Sequence, residues 1–228
     1  MMEHVLDNPA WNALISGNEQ LSYGNGQVRY FDKEVSPFAA FKENTADNFR
    51  LLYEMLPHNG PVLFVTPVET EIPPTWKVLQ FIKGLQMVYD VVKTQDGVQT
   101  ELIPLTGEHV PQMLALAKLT NPGPFAEKTI NFGRYHGIFE NGKLVAMAGQ
   151  RLHVFNYAEV SAVCTHPDHT GKGYARQLLI HHINRIKAAS EIPILHVRQD
   201  NERAIKVYES LGFSTRREVY FYVMVKTQ

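Results

Sequence analysis

Residues 163–175 read Val163-Cys164-Thr165-His166-Pro167-Asp168-His169-Thr170-Gly171-Lys172-Gly173-Tyr174-Ala175, and an amphipathic helical pattern follows at once. A β-branched run therefore ends in a turn that holds two glycines. Glycine lets the backbone approach a ligand closely, and the first N–H groups of a helix lack intrahelical partners and carry partial positive charge. The stretch predicts a phosphate or pyrophosphate site, although two glycines at such a turn also occur for packing alone.

The composition is that of an ordinary globular protein. The 228 residues are 44% hydrophobic and 20% charged, with a formal net charge of −1. This balance argues against general binding to nucleic acid or to an anionic membrane. No apolar run reaches membrane-spanning length and the first residues lack the apolar core of a signal peptide, so we expect a cytoplasmic protein. A lone cysteine, Cys164, excludes an internal disulfide and any multi-cysteine metal site.

The polar segment 93–99 interrupts the pattern and reads as a linker across which few core contacts are expected. It predicts two domains, residues 1–95 and 99–228. Before it the sequence indicates mixed α and β structure without recognisable chemistry. The expected elements are a hairpin turn at 24–26, one or two helices within 37–56, a strand at 61–66, a helix at 76–81 and a strand at 86–92.

After the linker the predicted order is β-α-β-β-β-α-β-α-β-β. Asn141-Gly142 is a strong hairpin signal between two of the strands. The predicted strands are 100–105, 135–140, 144–152, 157–165, 194–198 and 213–225, the last being either one long strand or an antiparallel pair. The predicted helices are 109–119, 173–187 and 201–211.

This order and two motifs resemble the Gcn5-related N-acetyltransferase (GNAT) superfamily. The first motif is Thr170-Gly171-Lys172-Gly173-Tyr174-Ala175, and the second is Asn201-Glu202-Arg203-Ala204-Ile205-Lys206-Val207-Tyr208-Glu209-Ser210-Leu211-Gly212-Phe213. The resemblance covers about residues 100–226 and looks closest to the FR47-like branch, which includes glycine N-acyltransferases. It implies an α/β GNAT fold with a mixed sheet in the C-terminal part. The N-terminal part resembles that branch's leading segment, a degenerate copy of the same fold that would wall the acceptor site together with residues 121–132.

The resemblance implies acetyl-CoA as cosubstrate and no metal. The backbone of Val163, Cys164 and Thr165 would pair with the pantetheine, and the amide near Val163 would help to hold the oxyanion. Thr170 stands where the family usually has Arg or Gln, which puts a side-chain contribution there in doubt. Lys172 would either add a positive charge or be a solvated lysine. The implied cofactor-binding residues are Val163, Cys164, Thr165, Thr170, Gly171, Lys172, Gly173, Tyr174, Ala175 and Asn201.

Two residues are candidates for proton transfer. By resemblance, Tyr208 would donate a proton to the departing thiolate, whereas its spacing alone would also fit an aromatic that fills the helix's core face. Glu159 lies fourteen residues before Gly173, the offset at which Gcn5-type members carry a glutamate that deprotonates the amine through water. Burial beside apolar neighbours would raise its pKa toward a useful value. A solvent-facing glutamate is the equal alternative.

The implied function is transfer of acetyl from acetyl-CoA to a primary amine by direct attack in a ternary complex. A non-catalytic acyl-CoA sensor and an acyltransferase for longer chains are the alternatives. The acceptor stays open among amino acid, polyamine, drug and peptide N-terminus. Arg134, Tyr135 and Arg151 could bind an acceptor carboxylate or be surface residues. Histidines 166, 169, 181 and 182 match no standard metal-ligand spacing, and the C-terminal strands could pair between two subunits of a homodimer.

Overall fold

A computed structural model describes residues 4–91, 97 and 99–227 of the chain. The strands of these residues form a small three-stranded sheet, β1 to β3, and a large eight-stranded mixed sheet, β4 to β11. The strands are β1 Ser22–Gly24, β2 Val28–Phe31, β3 Ala39–Phe41, β4 Val62–Thr66, β5 Trp76–Tyr89, β6 Ile103–Pro104, β7 His136–Glu140, β8 Lys143–Val154, β9 Tyr157–Thr165, β10 Ile192–Arg198 and β11 Phe213–Lys226. The large sheet has the order β4-β11-β5-β10-β9-β8-β7-β6.

Both faces of the large sheet are covered, because successive residues of a strand point to opposite sides. Ile194 packs with the N-terminal segment on one face, and its neighbour Leu195 packs against the helices that follow β9 and β10 on the other. No helix of the described residues is long and apolar enough to cross a membrane. The helices are α1 Pro9–Leu14, α2 Ala46–Met55, α3 Val110–Thr120, α4 Tyr174–Ala188 and α5 Glu202–Ser210, with short 3₁₀ turns at Val5–Asp7, Glu19–Leu21, Gly107–His109, Thr129–Phe132 and Pro167–His169.

Most elements predicted for the C-terminal part are confirmed. β7, β8 and β9 form an antiparallel meander, and its first turn places Asn141 at φ 51° and Gly142 at φ 74°, as a type I′ hairpin requires. The hairpin at Gly24 is confirmed by the pairing of β1 with β2. Residues 213–225 form one long strand, and of the predicted strand at 100–105 only Ile103–Pro104 pairs.

The predicted helix at 76–81 is wrong, because these residues belong to β5. Trp76, Leu79 and Ile82 recur at a three-residue spacing that fits a helix. However, β5 pairs with β11 along its length, from Trp76 opposite Lys226 to Tyr89 opposite Phe213. Backbone pairing with a distant strand therefore overrides the local pattern.

The expectation that few core contacts cross the linker is also wrong. β4 and β5 precede the linker, yet β5 lies between β10 and β11 and β4 pairs with β11. The two sides of the linker therefore share one sheet. Residues 93–96 and 98 of the predicted linker lie outside the described residues. The division into 1–95 and 99–228, and the descent of the first part from a copy of the same fold, stay predictions.

Candidate active site

β9 and β10 separate after Glu159 and Ile194, and we call the gap between their facing edges the fork. The two parallel strands pair only from Tyr157 to Glu159 and from Ile192 to Ile194. β9 continues to Thr165 and β10 to Arg198, but in the described chain these later residues do not pair with each other. In this part β9 still pairs with β8, and a bulge in that pairing lies at Ala162, which has φ 53°. The facing edges therefore offer main-chain N–H and C=O groups to an extended ligand, and Val163, Cys164 and Thr165 lie on this part of β9.

The loop after β9 forms an open cradle of backbone amides. Gly171 and Gly173 have φ +82° and +78°, and a Cβ at either position would meet nothing within 4 Å. Their conformation favours glycine, and the space over them is free for a ligand. Gly173 is also the N-cap of α4. Within the described chain the amides of residues 171–174 have no hydrogen-bond acceptor, so the cradle presents unsatisfied donors at a helix N-terminus.

A carboxylate fixes the side chains of this loop. Lys172 Nζ lies 2.9 and 3.1 Å from the two carboxylate oxygens of Glu140 at the end of β7, and the Tyr174 hydroxyl donates to the same carboxylate. These contacts, that of Tyr174 first and that of Lys172 next, lower the pKa of Glu140 to about 2. Lys172 is exposed and its ammonium pairs with a carboxylate of β7.

Tyr208 lies half-buried on α5, with its ring packed edge-on against Phe213 at a centroid distance of 6.1 Å. Burial raises the pKa of Tyr208 to about 12, so the phenol stays protonated at neutral pH. Its hydroxyl makes no hydrogen bond in the described part of the chain. The ring therefore packs as a core-face aromatic does, and the hydroxyl also keeps a proton that it can donate.

Asn201 has a structural task at the start of α5. Its Oδ1 accepts a hydrogen bond from the backbone N–H of Ala204 at 3.2 Å, which caps the helix. The residue is exposed, so its amide NH₂ group faces solvent. A contact with the cofactor would come from that group.

Glu159 is completely buried and fully hydrogen-bonded. Arg151 donates to both of its carboxylate oxygens, at 2.9 and 2.5 Å. The backbone N–H of Leu152 adds a third bond at 3.2 Å, and His196 Nδ1 lies 2.8 Å away. Although burial alone would raise its pKa, the Arg151 and His196 partners hold the pKa of Glu159 well below its usual range. The expectation of a raised pKa is therefore wrong, and the surroundings of Glu159 are polar rather than apolar.

A buried polar network links Glu159 to the N-terminal segment, and the sequence reasoning missed it. His196 Nε2 lies 3.1 Å from the side-chain nitrogen of Gln86 on β5. Gln86 Nε2 donates to the carbonyl of Leu6 at 2.9 Å, and Gln86 Oε1 accepts from Arg216 at 2.8 Å. The available signal was a polar residue inside an apolar strand: Gln86 follows Leu85, and His196 stands between Leu195 and Val197.

The remaining candidates are less suited to chemistry. Burial raises the pKa of Cys164 to about 11, so its thiol stays protonated. Of the three residues considered for an acceptor carboxylate, Arg151 is bound to Glu159, Tyr135 is buried, and Arg134 is exposed. No group of three or more potential metal-ligating residues occurs among the described residues.

Known proteins resemble this chain in sequence and in fold. A family profile described as FR47-like protein matches residues 135–222. The [ribosomal protein bS18]-alanine N-acetyltransferase of Escherichia coli K12 is 35% identical over 106 residues, which cover 43% of this chain and 71% of that enzyme. A crystal structure from Novosphingobium aromaticivorans, assigned to the GNAT family of acetyltransferases, is 35% identical with a TM-score of 0.90 and covers 99% of this chain and 100% of that one.

A more distant structure shares the fold alone. The GCN5-related N-acetyltransferase from Kribbella flavida is 14% identical, with a TM-score of 0.59 over 94% of this chain and 95% of that one. GNAT acetyltransferases use acetyl-CoA as their acetyl donor. The full-length match at 35% identity shows that the mixed α/β fold is that of the GNAT family. The chain belongs to the GNAT family and is an N-acetyltransferase.

Proposed function

We propose that this N-acetyltransferase binds acetyl-CoA along the fork and the glycine cradle and transfers the acetyl group directly to a primary amine. The proposal rests on one observation. The part of β9 whose edge toward β10 is free leads through the cradle directly into α4. A cosubstrate with an extended chain and a pyrophosphate can therefore use main-chain groups of one continuous segment. Acetyl-CoA supplies the acetyl group as a thioester.

The cradle fits a pyrophosphate in charge and in shape. The free amides of residues 171–174 and the N-terminus of α4 favour negative charge. The absence of Cβ atoms at Gly171 and Gly173 lets phosphate oxygens approach the backbone. Lys172 lies in the same loop, where its ammonium is paired with the ionised Glu140 carboxylate, so the main-chain amides are the principal donors. Thr170 and Ala175 flank these residues, and Asn201 offers its exposed amide from the start of α5.

Tyr208 is the proposed general acid. A thiolate leaving group needs a proton, and a phenol with its pKa raised to about 12 carries one at any physiological pH. The hydroxyl has no hydrogen-bond partner within the described residues, so that proton is available for transfer. This role supplements the ring's packing against Phe213 and does not compete with it.

Direct attack by the amine is favoured over a covalent acyl-enzyme. Cys164 is the only cysteine, and burial raises the pKa of its thiol to about 11. A nucleophilic cysteine needs the opposite environment, one that lowers its pKa. The backbone amide near Val163, on the free part of β9, is the proposed donor to the oxyanion of the tetrahedral intermediate.

The proposed acceptor is the amine of a small molecule or of a peptide N-terminus. The name of the Escherichia coli relative states that it acetylates an alanine of ribosomal protein bS18, which makes peptides with N-terminal alanine the first acceptors to try. The net charge of −1 disfavours strongly basic peptides.

Isothermal calorimetry with acetyl-CoA, free coenzyme A and a longer acyl-CoA tests the donor site. We expect dissociation constants in the micromolar range for acetyl-CoA and coenzyme A, roughly −8 kcal/mol. Transfer is then tested by the release of free thiol with three acceptors in turn: a peptide with an N-terminal alanine, free glycine, and spermidine. Absence of binding by all three coenzyme A compounds would contradict the donor site. Tighter binding and faster turnover with the longer acyl-CoA would contradict acetyl as the preferred group.

A further inference from the structure

We infer that three histidines between β7 and α4 form a binding site for a small dianionic oxyanion, of the sulfate or phosphate class. This histidine cluster consists of His136 on β7 and His181 and His182 on α4. It lies over β7 and β8, whereas the fork lies between β9 and β10, and it is about two helical turns along α4 from the glycine cradle. The inference therefore does not depend on the proposed function.

The three rings are in mutual contact. The ring centroids of His136 and His181 lie 4.1 Å apart, and that of His182 lies 5.5 Å from the first and 5.4 Å from the second. Ile138, two residues after His136, packs with Leu178 of α4, and His182 is one helical turn beyond Leu178. The cluster therefore continues the contact between β7 and α4 by one further layer of side chains.

Unpartnered polar atoms are concentrated at this cluster. Within the part of the chain that the structure describes, ten buried side-chain atoms have no hydrogen-bond partner. Six of them are nitrogens of this region, namely Nδ1 of His136, Nε2 of His181, both ring nitrogens of His182, Nε of Arg185 and Nε2 of Gln150. Buried polar atoms in proteins are almost always hydrogen-bonded. Six such nitrogens in one region therefore indicate a bound acceptor that the protein itself does not supply.

The cluster lies one side chain below the surface. Arg134 is exposed, and His136, His181 and Arg185 are half-buried, above the completely buried ring of His182. A small ion therefore reaches the unpartnered nitrogens by rotation of half-buried side chains, without crossing the core or moving the backbone.

The charged groups around the cluster are mainly cations. Arg185 repels the protonated form of all three imidazoles, and Arg134, just before β7, repels Arg185 in turn. Glu191 attracts Arg185, but its carboxylate is bound to His153 Nε2 at 2.7 Å. Glu101, on the segment that packs against α4 before β6, is exposed. The guanidinium groups therefore have no free carboxylate at the cluster within the described residues.

The elements packed around the cluster supply no further compensation. α4, β8 and β10 contain no Asp or Glu. On β7, Glu140 is at the opposite end of the strand and is bound by Lys172 and Tyr174. On β9, Glu159 leaves the other face of the sheet and pairs with Arg151. Two arginine charges match a dianion and disfavour a metal cation.

Binding of the ion is coupled to protonation of the cluster. Burial first, and the neighbouring histidines and Arg185 next, lower the pKa of His181 to about 4 and that of His182 to about 3. At neutral pH both rings are therefore uncharged, and each has one N–H donor. A bound oxyanion stabilises the imidazolium form and raises these pKa values. The affinity for the ion should therefore increase as the pH falls.

Calorimetric titration of the whole chain with sodium sulfate, at constant ionic strength, tests the site. Sulfate stays a dianion at both pH 6.0 and pH 8.0, so its own titration does not interfere. We expect a dissociation constant roughly tenfold lower at pH 6.0 than at pH 8.0, with uptake of roughly one proton per ion. Sodium acetate should bind at least about tenfold more weakly than sulfate. Absence of sulfate binding at both pH values would overturn the inference, and equal affinity for acetate would overturn the assignment of a dianion.

Two variants of α4 locate the ion. Arg185→Gln should raise the dissociation constant for sulfate about tenfold or more. Arg176→Gln is the matched control and should stay within about twofold of wild type, because Arg176 is exposed and donates to Ser210. Arg176 is also nearer in sequence to the glycine cradle, so the control reports any sulfate bound there. Equal effects of the two substitutions would overturn the inference.

Histidine NMR of the wild-type protein keeps the inference testable if a variant fails to fold. At pH 6.0, saturating sulfate should convert the rings of His181 and His182 from the neutral to the imidazolium form, as the ¹⁵N chemical shifts of the ring nitrogens report. Rings that stay neutral in saturating sulfate would contradict the proposed site.

Discussion

The glycine cradle and the buried polar network around Glu159 differ in how the sequence encodes them. The cradle is a single run of residues, 171–174, that contains both glycines and the first residue of α4. The network joins a 3₁₀ turn to five neighbouring strands through Asp7, Gln86, Arg151, Glu159, His196 and Arg216. A site built from the backbone of consecutive residues can be recognised in the sequence. Side-chain pairs between strands can be recognised only when the fold is known.

The two regions also differ in what they leave unsatisfied. The cradle keeps free N–H donors at the surface, as a binding site must. In the network Glu159 and Gln86, both completely buried, have hydrogen-bond partners on every polar side-chain atom. A substitution in the cradle should therefore change ligand affinity, and one in the network should change the free energy of unfolding.

The largest expected effect is that of Glu159→Gln. It removes the charge that compensates Arg151, whose side chain is only 12% exposed. An uncompensated buried charge costs about 3–5 kcal/mol, so we expect urea unfolding to report a loss of that size. Glu191→Gln is the control, because the His153 partner of Glu191 is 38% exposed; its effect should stay within about 0.5 kcal/mol. If both substitutions lowered the free energy of unfolding equally, burial of the ion pair in the network would not explain the loss.

The next largest expected effect is that of Tyr208→Phe, which should lower turnover without changing the affinity for acetyl-CoA. Loss of the phenolic proton should lower kcat roughly 10²-fold, while the ring keeps its packing against Phe213. Acetyl-CoA affinity and the unfolding midpoint should match wild type. Steady-state kinetics measure kcat, and calorimetry measures the affinity for acetyl-CoA. Undiminished turnover would assign Tyr208 to packing alone.

Gly173→Ala tests the cradle against a matched position. Gly173 has φ +78° and Gly142 has φ +74°, and neither has an atom within 4 Å of a built Cβ. Alanine at either site should therefore cost about 1–2 kcal/mol of stability through the same backbone strain. Only Gly173→Ala should weaken acetyl-CoA binding in calorimetry, by about tenfold, or roughly 1.4 kcal/mol. Equal affinities of the two variants would mean that the ligand does not approach the cradle.

Sequence reasoning succeeded where short-range rules dominate. The Asn141-Gly142 turn, the strands on either side of it and the helix after Gly173 follow from turn chemistry and periodicity. It failed at residues 76–81 of β5, because pairing with β11 more than a hundred residues away decides that segment, whereas the strand predicted at 86–92 is confirmed as far as Tyr89. The pKa of Glu159 went the other way from expectation for the same reason, since Arg151 and His196 come from different strands.

The smallest expected effect concerns three neighbouring histidines, His136, His181 and His182. Unlike the polar atoms of the network, their buried ring nitrogens include ones with no hydrogen-bond partner among the described residues. Within the described residues, neither ring nitrogen of His182 has a hydrogen-bond partner, and the rings of His136 and His181 lie 5.5 and 5.4 Å away. Burial first, and His181 next, lowers the pKa of His182 to about 3. Below pH 6.5 the unfolded chain therefore binds a proton that the folded chain does not.

Stability should consequently fall as the pH drops below about 6.5, by roughly 1 kcal/mol per pH unit from this one site. In His182→Leu, which keeps the buried volume apolar, the slope should be correspondingly shallower. Urea unfolding at pH 7.0, 6.0 and 5.0 measures both slopes. An identical slope in the variant would show that His182 does not set the acid sensitivity.

A crystal structure of the complex with coenzyme A would show whether the fork and the cradle hold the cosubstrate. We expect pyrophosphate oxygens within hydrogen-bonding distance of the amides of residues 171–174, and the pantetheine between the free edges of β9 and β10. The sulfur should lie beside the Tyr208 hydroxyl. A coenzyme A molecule bound away from the fork, or a pyrophosphate held by side chains with the cradle amides unused, would contradict it.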